Sequence, residues 1–287
     1  MVRRFVAGET LEEALVALER LRAAGFRTTV DILGESVESA GAAIAAADAY
    51  VETLDALAAR GLDRNVSVKL SGVGLDLDEE LCRANVGRIV ARAVELGAFV
   101  RIDMEGHRTT DATLALWEAV RPPPAVRGAA DCGVVIQSAL RRSAEDVDRL
   151  IAAGARVRLC KGAYKEPAEV AFTDRTEVDA AYEALMVRLL TDGVFPGIAT
   201  HDPALIRRAQ AISAEAAIGR DRFEFQMLYG VRRDLQVRLV AAGYGVRVYV
   251  PFGREWYPYF MRRLAERPAN IAFVLRSVLR ERRPGRE

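Results

Sequence analysis

The sequence predicts an α/β fold, a single-domain closed (β/α)8 TIM-like barrel, and three observations predict it. Eight short β-rich runs recur along the chain, each followed by a longer stretch with apolar residues at helical spacing. No linker rich in Pro, Gly or Ser divides the 287 residues, and α/β barrels run to this length as one unit. No G-x-G-x-x-G follows a strand; GVGLDL at 72–77 comes near it but lacks the last glycine, and there is no P-loop. An open doubly wound sheet, the alternative arrangement, therefore loses its main support. One domain is expected over residues 1–287, with a C-terminal helix and basic tail over about 268–287.

The elements follow in order. Thr10 is placed to cap a first helix, with Glu13 completing a capping box. Strands are then read at 28–33 (TTVDIL), 66–71 (VSVKLS), 98–104 (AFVRIDM) and 133–138 (GVVIQS). The second half supplies 155–160 (ARVRLC), 196–201 (PGIATH), 222–227 (RFEFQM) and 246–250 (VRVYV). Among the intervening helices, 143–154 starts at Ser143, a capping residue type, and ends at Gly154, while 179–193 has the same grammar.

Composition narrows the function classes. With 51% hydrophobic and 28% charged residues the chain can bury a large core. The net charge of +1, with both signs mixed along the chain, lacks the basic stripe that nucleic-acid binding needs, so no nucleic-acid partner is expected. Cys82, Cys132 and Cys160 show no C-x-x-C spacing and read as reduced, buried thiols, which points to the cytoplasm. No segment approaches the apolar length of a membrane span, and the start lacks the apolar core of a signal peptide.

In a barrel, chemistry collects at the C-terminal ends of the strands. That filter passes Glu35, Lys69, Ser71, Asp103, Glu105 and Gln137 from the first four strands. From the last four it passes Arg158, Lys161, Thr200, His201, Asp202, Gln226, Tyr249 and Arg254. Lys69, Arg158, Lys161, Arg262 and Arg263 make the mouth a fit for an anionic ligand. Arg262 and Arg263 are neighbours on the helix after strand eight and diverge by about 100°. Both meet one carboxylate only if it lies over the helix's inner edge; spacing alone favours one arginine on a solvent face and one in a salt bridge with Glu266. Glu266 sits where it can orient either guanidinium or form an ordinary helix-surface ion pair.

Asp103 closes an apolar strand and needs a basic neighbour, for which Lys69 on the adjacent strand is the natural choice. Lys161, in RLCKGAYKE, is open to two readings: a Schiff-base aldolase lysine, or a small-residue turn whose amides approach a phosphate or a flat ring. His107 and His201 are the only histidines and lack metal-ligand spacing, so no metal site is expected. Of the two, His201 at a strand end suits ligand binding and His107 reads as a loop residue. Tyr164, Tyr229, Tyr249 and Trp256 supply aromatic surface for a pocket wall, or simply for core.

Taken together the chain resembles the proline dehydrogenase family. The likeness runs from FVAGETLEEAL through DILGE, VSVKLS, VRIDMEG, VVIQSALRRS, VRLCKGAYKE, ATHD, FEFQMLYG and VRVYVPFG to YFMRRLAERPAN. The resemblance implies a barrel that holds FAD noncovalently and oxidises L-proline to Δ1-pyrroline-5-carboxylate by hydride transfer to FAD N5, with electrons passed to a membrane quinone. It implies Arg262, Arg263 and Lys69 as carboxylate-binding cations, Glu266 as their support, and Tyr249, Leu228 and Tyr164 around the proline ring. Asp103 would be the active-site acid and Arg158 the cation near flavin N5. Met104 and Gln137 would touch the isoalloxazine, with Lys161, Gly162, Ala163, Thr200 and His201 along the rest of the FAD.

Small bacterial members carry extra helices ahead of the barrel, which this sequence is expected to lack or to have had trimmed, so oligomeric state is left open. The run IAFVLRSVLRERRPGRE reads as a final packing helix with a frayed tail, or as an element resting on anionic lipid at the inner face of the membrane. Two alternatives remain beside proline oxidation: the Lys161 aldolase and a non-catalytic amino-acid-binding barrel.

Overall fold

The computed structural model describes residues 2–123 and 131–265, and side chains for 3–123 and 131–261. Eight parallel strands among them close on themselves in sequence order, each hydrogen-bonded to the next and β8 to β1. The strands are β1 Arg27–Ile32, β2 Asn65–Val68, β3 Phe99–Ile102 and β4 Asp131–Gln137. Then come β5 Val157–Cys160, β6 Gly197–Ala199, β7 Glu224–Leu228 and β8 Val246–Phe252. Around them run α1 Leu11–Ala23, α2 Ala40–Ala59, α3 Glu79–Leu96, α4 Thr110–Val120 and α5 Ser143–Ala152. The ring is completed by α6 Arg175–Asp192, α7 Pro203–Glu215, α8 Arg233–Ala241 and α9 Trp256–Ala265. This is the expected (β/α)8 barrel.

Local chemistry explains the boundaries. At α1, Thr10 Oγ1 accepts from Glu13 N while the Glu13 carboxylate accepts from Thr10 N, the capping box read from the sequence. Asp78, Asp174 and Asp202 cap α3, α6 and α7 with their side chains, and Pro203 occupies the first turn of α7, where a missing N–H costs nothing. Ser143 is a correction. Arg142 holds the cap position of α5 and Ser143 is already helical, because its hydroxyl donates instead to Gln137 O at 2.6 Å. The second strand also ends sooner than 66–71: after Val68 the chain turns out of the sheet and Ser71–Val73 form a 3-10 turn.

Most of the core lies between strands and helices, where Val66, Val68, Ile89, Leu54 and Leu57 are fully buried. Truncating any one of these leucines or isoleucines to alanine costs about 2–5 kcal/mol. A smaller apolar cluster joins Phe5, Val6, Leu33, Val231, Tyr259 and Phe260, and so seats α9 against the N-terminal segment. Cys82 and Cys132 are buried and Cys160 half-buried; all three thiols are free, and burial pushes each up to about 12. No helix among the described residues is long and apolar enough to cross a membrane.

The barrel lumen is filled with polar side chains. Helices cover the outer face of every strand, so alternation along a strand here puts polar residues inward: Glu224 and Gln226 on β7, Arg247 and Tyr249 on β8, Thr29 and Asp31 on β1. At the N-terminal end, Arg247 grips Glu224 through two bonds of 2.6 and 3.1 Å and Arg27 adds a third contact at 3.3 Å.

Candidate active site

Arg158 is the centre of the upper lumen. It rises from β5, and its guanidinium crosses to three strands that do not neighbour its own. It donates to Asp103 Oδ1 beyond β3 at 2.7 Å, Ser67 Oγ on β2 at 3.0 Å and Gln226 Oε1 on β7 at 2.5 Å. The other Asp103 oxygen accepts from the Tyr249 hydroxyl at 2.8 Å, and the Tyr249 ring lies 5.2 Å from the Arg158 guanidinium carbon. Burial, then the Asp103 and Asp31 charges, push the Tyr249 phenol well above its ordinary value, so it stays a donor.

Lys69 is not the partner of Asp103, and the sequence expectation is corrected there. Lys69 and Asp103 follow the paired residues Val68 and Ile102. Yet the ammonium turns to Asp31 at 2.6 Å, and only a weaker 3.5 Å contact reaches the Tyr249 hydroxyl. The reason is need: Asp31 is fully buried, takes the Lys69 bond on Oδ1 and still leaves Oδ2 without a hydrogen bond, whereas Asp103 already has Arg158 and Tyr249. Burial pushes Asp31 up to about 6, opposed by Lys69 and reinforced by Asp103. Burial works against the Lys69 ammonium, but Asp31 and Asp103 outweigh it and keep the lysine charged. Glu105, which burial raises, is spent on the β2 turn, where it accepts from Ser71 N at 2.9 Å and Ser71 Oγ at 2.5 Å.

These groups stand at one end of a cavity of about 1010 Å3, the upper end of the range for ligand pockets. Met104, Val135, Val178 and Ala199 give it apolar walls, and it runs outward past Lys161, Gly162 and Ala163 to Arg175 and Asp202. Tyr164, Thr200, His201, Leu228, Tyr249 and Lys69 also line it, so the structure brings most of the expected site residues into one space. Gly162 has φ +109°, and a Cβ there would lie 2.8 Å from Gln137 Oε1; no other residue fits this turn without strain. Lys161 forms ion pairs with Asp179 and, at 3.4 Å, Asp202, a setting unlike the apolar or cation-lined pocket of an iminium-forming lysine. His201 is fixed as an acceptor, its Nε2 taking the Leu228 N–H at 2.9 Å, which ties the end of β6 to the end of β7.

Other expected residues fall differently. Gln137 is buried beneath the cavity wall and donates to Glu105 O at 2.6 Å. Tyr164 lines the cavity but is 41% exposed, a rim residue rather than a wall. Glu35 lines a smaller adjoining space of about 460 Å3 that shares Lys69 and Tyr259 with the main cavity. His107 is held by Glu166, which takes its backbone N–H at 2.9 Å and contacts its ring. Arg262 and Arg263 fall on α9, with their side chains outside the described set; Glu266 and the tail lie outside the described residues altogether. No group of metal-ligating side chains occurs among the described residues.

Asp31, Ser67, Gln226 and Glu224 complete the lumen network, and sequence reasoning gave none of them a role. The signal was present: DIL in the first strand sets an acid inside a β-branched run, as VRIDM does for Asp103, and FEFQM alternates polar with apolar residues in a strand covered on its outer face.

The comparisons with known proteins agree with this arrangement. A family model described as proline dehydrogenase matches residues 14–276. A proline dehydrogenase of Deinococcus radiodurans is 43% identical over 283 residues, covering 98% of this chain and 90% of that one. Proline dehydrogenase 1 of Bacillus subtilis strain 168 is 40% identical over 279 residues, covering 97% and 91%. Among solved structures, proline utilization A of Bdellovibrio bacteriovorus, inactivated by N-propargylglycine, superposes with a TM-score of 0.86 at 29% identity. That match covers 92% of this chain and 32% of the other, so this chain spans about a third of that longer polypeptide. With the family match running from α1 past α9 and relatives alike over almost their whole length, this chain belongs to the proline dehydrogenase family.

Proposed function

We propose that this protein oxidises L-proline to Δ1-pyrroline-5-carboxylate with FAD as its resident cofactor and a membrane quinone as final electron acceptor. The observation that carries the reading is Arg158, fixed on the barrel axis by Asp103, Ser67 and Gln226 at the head of an elongated cavity. The residues present fit a flavin dinucleotide. Met104, Val135 and Ala199 offer apolar surface for a flat ring beside the Arg158 cation, and the glycine turn at Gly162 with Lys161 and Arg175 offers backbone amides and charge for a diphosphate. FAD, when bound, supplies the two-electron acceptor at N5.

The chain's own groups position the substrate and manage charge. Lys69, kept charged by Asp31, provides a cation for the proline carboxylate at the inner end, and Arg262 and Arg263 on α9 are the further cations that the family resemblance assigns to it. Leu228 and Tyr249 face the same space and suit the apolar pyrrolidine ring. Proline loses the C5 hydrogen with its bonding pair and the nitrogen loses a proton as the C5–N double bond forms, so two electrons and two protons leave. Arg158 stabilises the negative charge arriving on the acceptor side. Asp103, accepting from Arg158 and Tyr249, fixes both side chains at the head of the cavity.

A cytoplasmic protein meeting quinone at the inner face of the membrane fits the basic composition of Arg276 to Arg286. The test is an assay with L-proline and a soluble quinone analogue: quinone reduction with Δ1-pyrroline-5-carboxylate formed in equal amount supports the reading. Proline binding without turnover, by protein shown to contain FAD, refutes it.

A further inference from the structure

We infer that Gln226 and Glu224 are positioning residues for Arg158: Glu224 decides which way the Gln226 amide faces, and the Gln226 carbonyl oxygen then holds the Arg158 guanidinium toward the cavity. The inference rests on the proposed role of Arg158 as the flavin-side cation.

A guanidinium is a rigid planar fork, so its orientation is set once each nitrogen has a fixed acceptor. Nη1 of Arg158 has Asp103 and Nη2 has Ser67, which leaves Nε to Gln226 Oε1. Without that last contact the side chain is free to swing about the Asp103 and Ser67 edge, and the head of the cavity moves with it.

A glutamine amide presents either an oxygen or an NH2 to a neighbour, and only the oxygen suits Arg158 Nε. Glu224 makes the choice. Its Oε1 accepts from Gln226 Nε2 at 2.7 Å and from Arg247 Nε at 2.6 Å. Burial, the largest influence on this carboxyl, pushes it upward, but the Arg247 charge and its hydrogen bonds overcome that and bring it down to about 2. Glu224 is therefore a carboxylate that only accepts. Turning the Gln226 amide over would set its NH2 against the Arg158 N–H and its oxygen against that carboxylate, two repulsive contacts in a buried site. Space agrees: a Cβ at Gly197 would lie 2.5 Å from Gln226 Nε2, so the strand beside β7 carries glycine where the amide sits. An unbroken chain of contacts thus runs from Arg247 near the closed end of the barrel through Glu224 and Gln226 to Arg158, Asp103 and Tyr249 at the mouth.

The test uses the FAD-loaded full chain. Gln226→Met removes the acceptor and leaves the Glu224–Arg247 pair whole. Anaerobic flavin reduction by L-proline is expected to slow by about 10- to 100-fold, since small displacements at a reacting centre carry costs of that size. Proline KM is expected to stay within about twofold. Before proline is added, the flavin absorption band and midpoint potential should shift in the same direction as in Arg158→Met. The double variant Gln226→Met with Arg158→Met should be no slower than Arg158→Met alone, because Gln226 acts only through Arg158.

Wild-type reduction rate, band and potential in folded Gln226→Met would overturn the inference, as would losses that add in full. Should Gln226→Met not fold, Gln226→Glu decides: alone it keeps an accepting oxygen for Arg158 but sets a second carboxylate against Glu224, which pushes residue 226 out of place and slows reduction, and adding Glu224→Gln relieves that like-charge contact and returns most of the rate. Equal rates in those two proteins would also overturn it. Failure of the underlying flavin reading appears separately, in wild-type protein that takes up no FAD or whose FAD proline does not reduce.

Discussion

Arg158 donates to Asp103 at 2.7 Å across the lumen, and the far oxygen of the same carboxylate accepts from Tyr249, so one acid holds two donors that begin on different strands. Asp103→Asn keeps the size of the group but removes the charge that draws in the guanidinium. Flavin reduction by proline is expected to fall by about 100-fold with FAD content unchanged. Rapid-reaction absorbance under anaerobic conditions measures it.

Asp31 gives a pH signature. Its folded-state value of about 6, against an ordinary 3.8, means the folded protein holds this proton more tightly than the unfolded chain does. Stability from this group is complete below pH of about 4 and is lost as pH rises through about 6, by up to about 3 kcal/mol. Asp31→Asn has no such proton, so urea midpoints of wild type and variant, compared from pH 4 to 7, should shift against the wild type as pH rises.

Gly162→Ala places a Cβ on a backbone at φ +109° and 2.8 Å from Gln137 Oε1. The turn must open, and FAD affinity is expected to fall by about 10-fold or more, beside the few degrees of thermal midpoint that about 1–3 kcal/mol of backbone strain takes from the FAD-free protein. Flavin fluorescence titration reads the affinity directly.

Arg262→Met and Arg263→Met each remove a charge-assisted contact to the proline carboxylate proposed for α9. Proline KM is expected to rise by about 10-fold or more in each, with FAD retained. An unchanged KM in both variants, from steady-state kinetics, would remove α9 from the substrate site.

The barrel was legible because its signal is repetitive: TTVDIL, VSVKLS and their successors mark strands, and Thr10 with Glu13 marks a helix start. Most residues that line the cavity were legible too, since strand ends in a barrel converge on one face. Partnership was not. Lys69 goes to Asp31 rather than Asp103 because the competition is settled by burial and by the long reach of Arg158 from a non-neighbouring strand, neither of which sequence spacing encodes. Glu224 escaped notice, and Gln226 was passed as a strand-end residue without a partner, for a related reason: on an exposed sheet their alternation would face water, and only closure of the barrel turns it inward.

The most direct measurement is the absorption spectrum of the purified protein, taken anaerobically before and after adding L-proline. The account predicts a yellow protein whose flavin bands bleach on addition of proline and return with a quinone. Protein that is colourless and cannot be loaded with FAD, or whose flavin bands proline leaves unchanged, would contradict it.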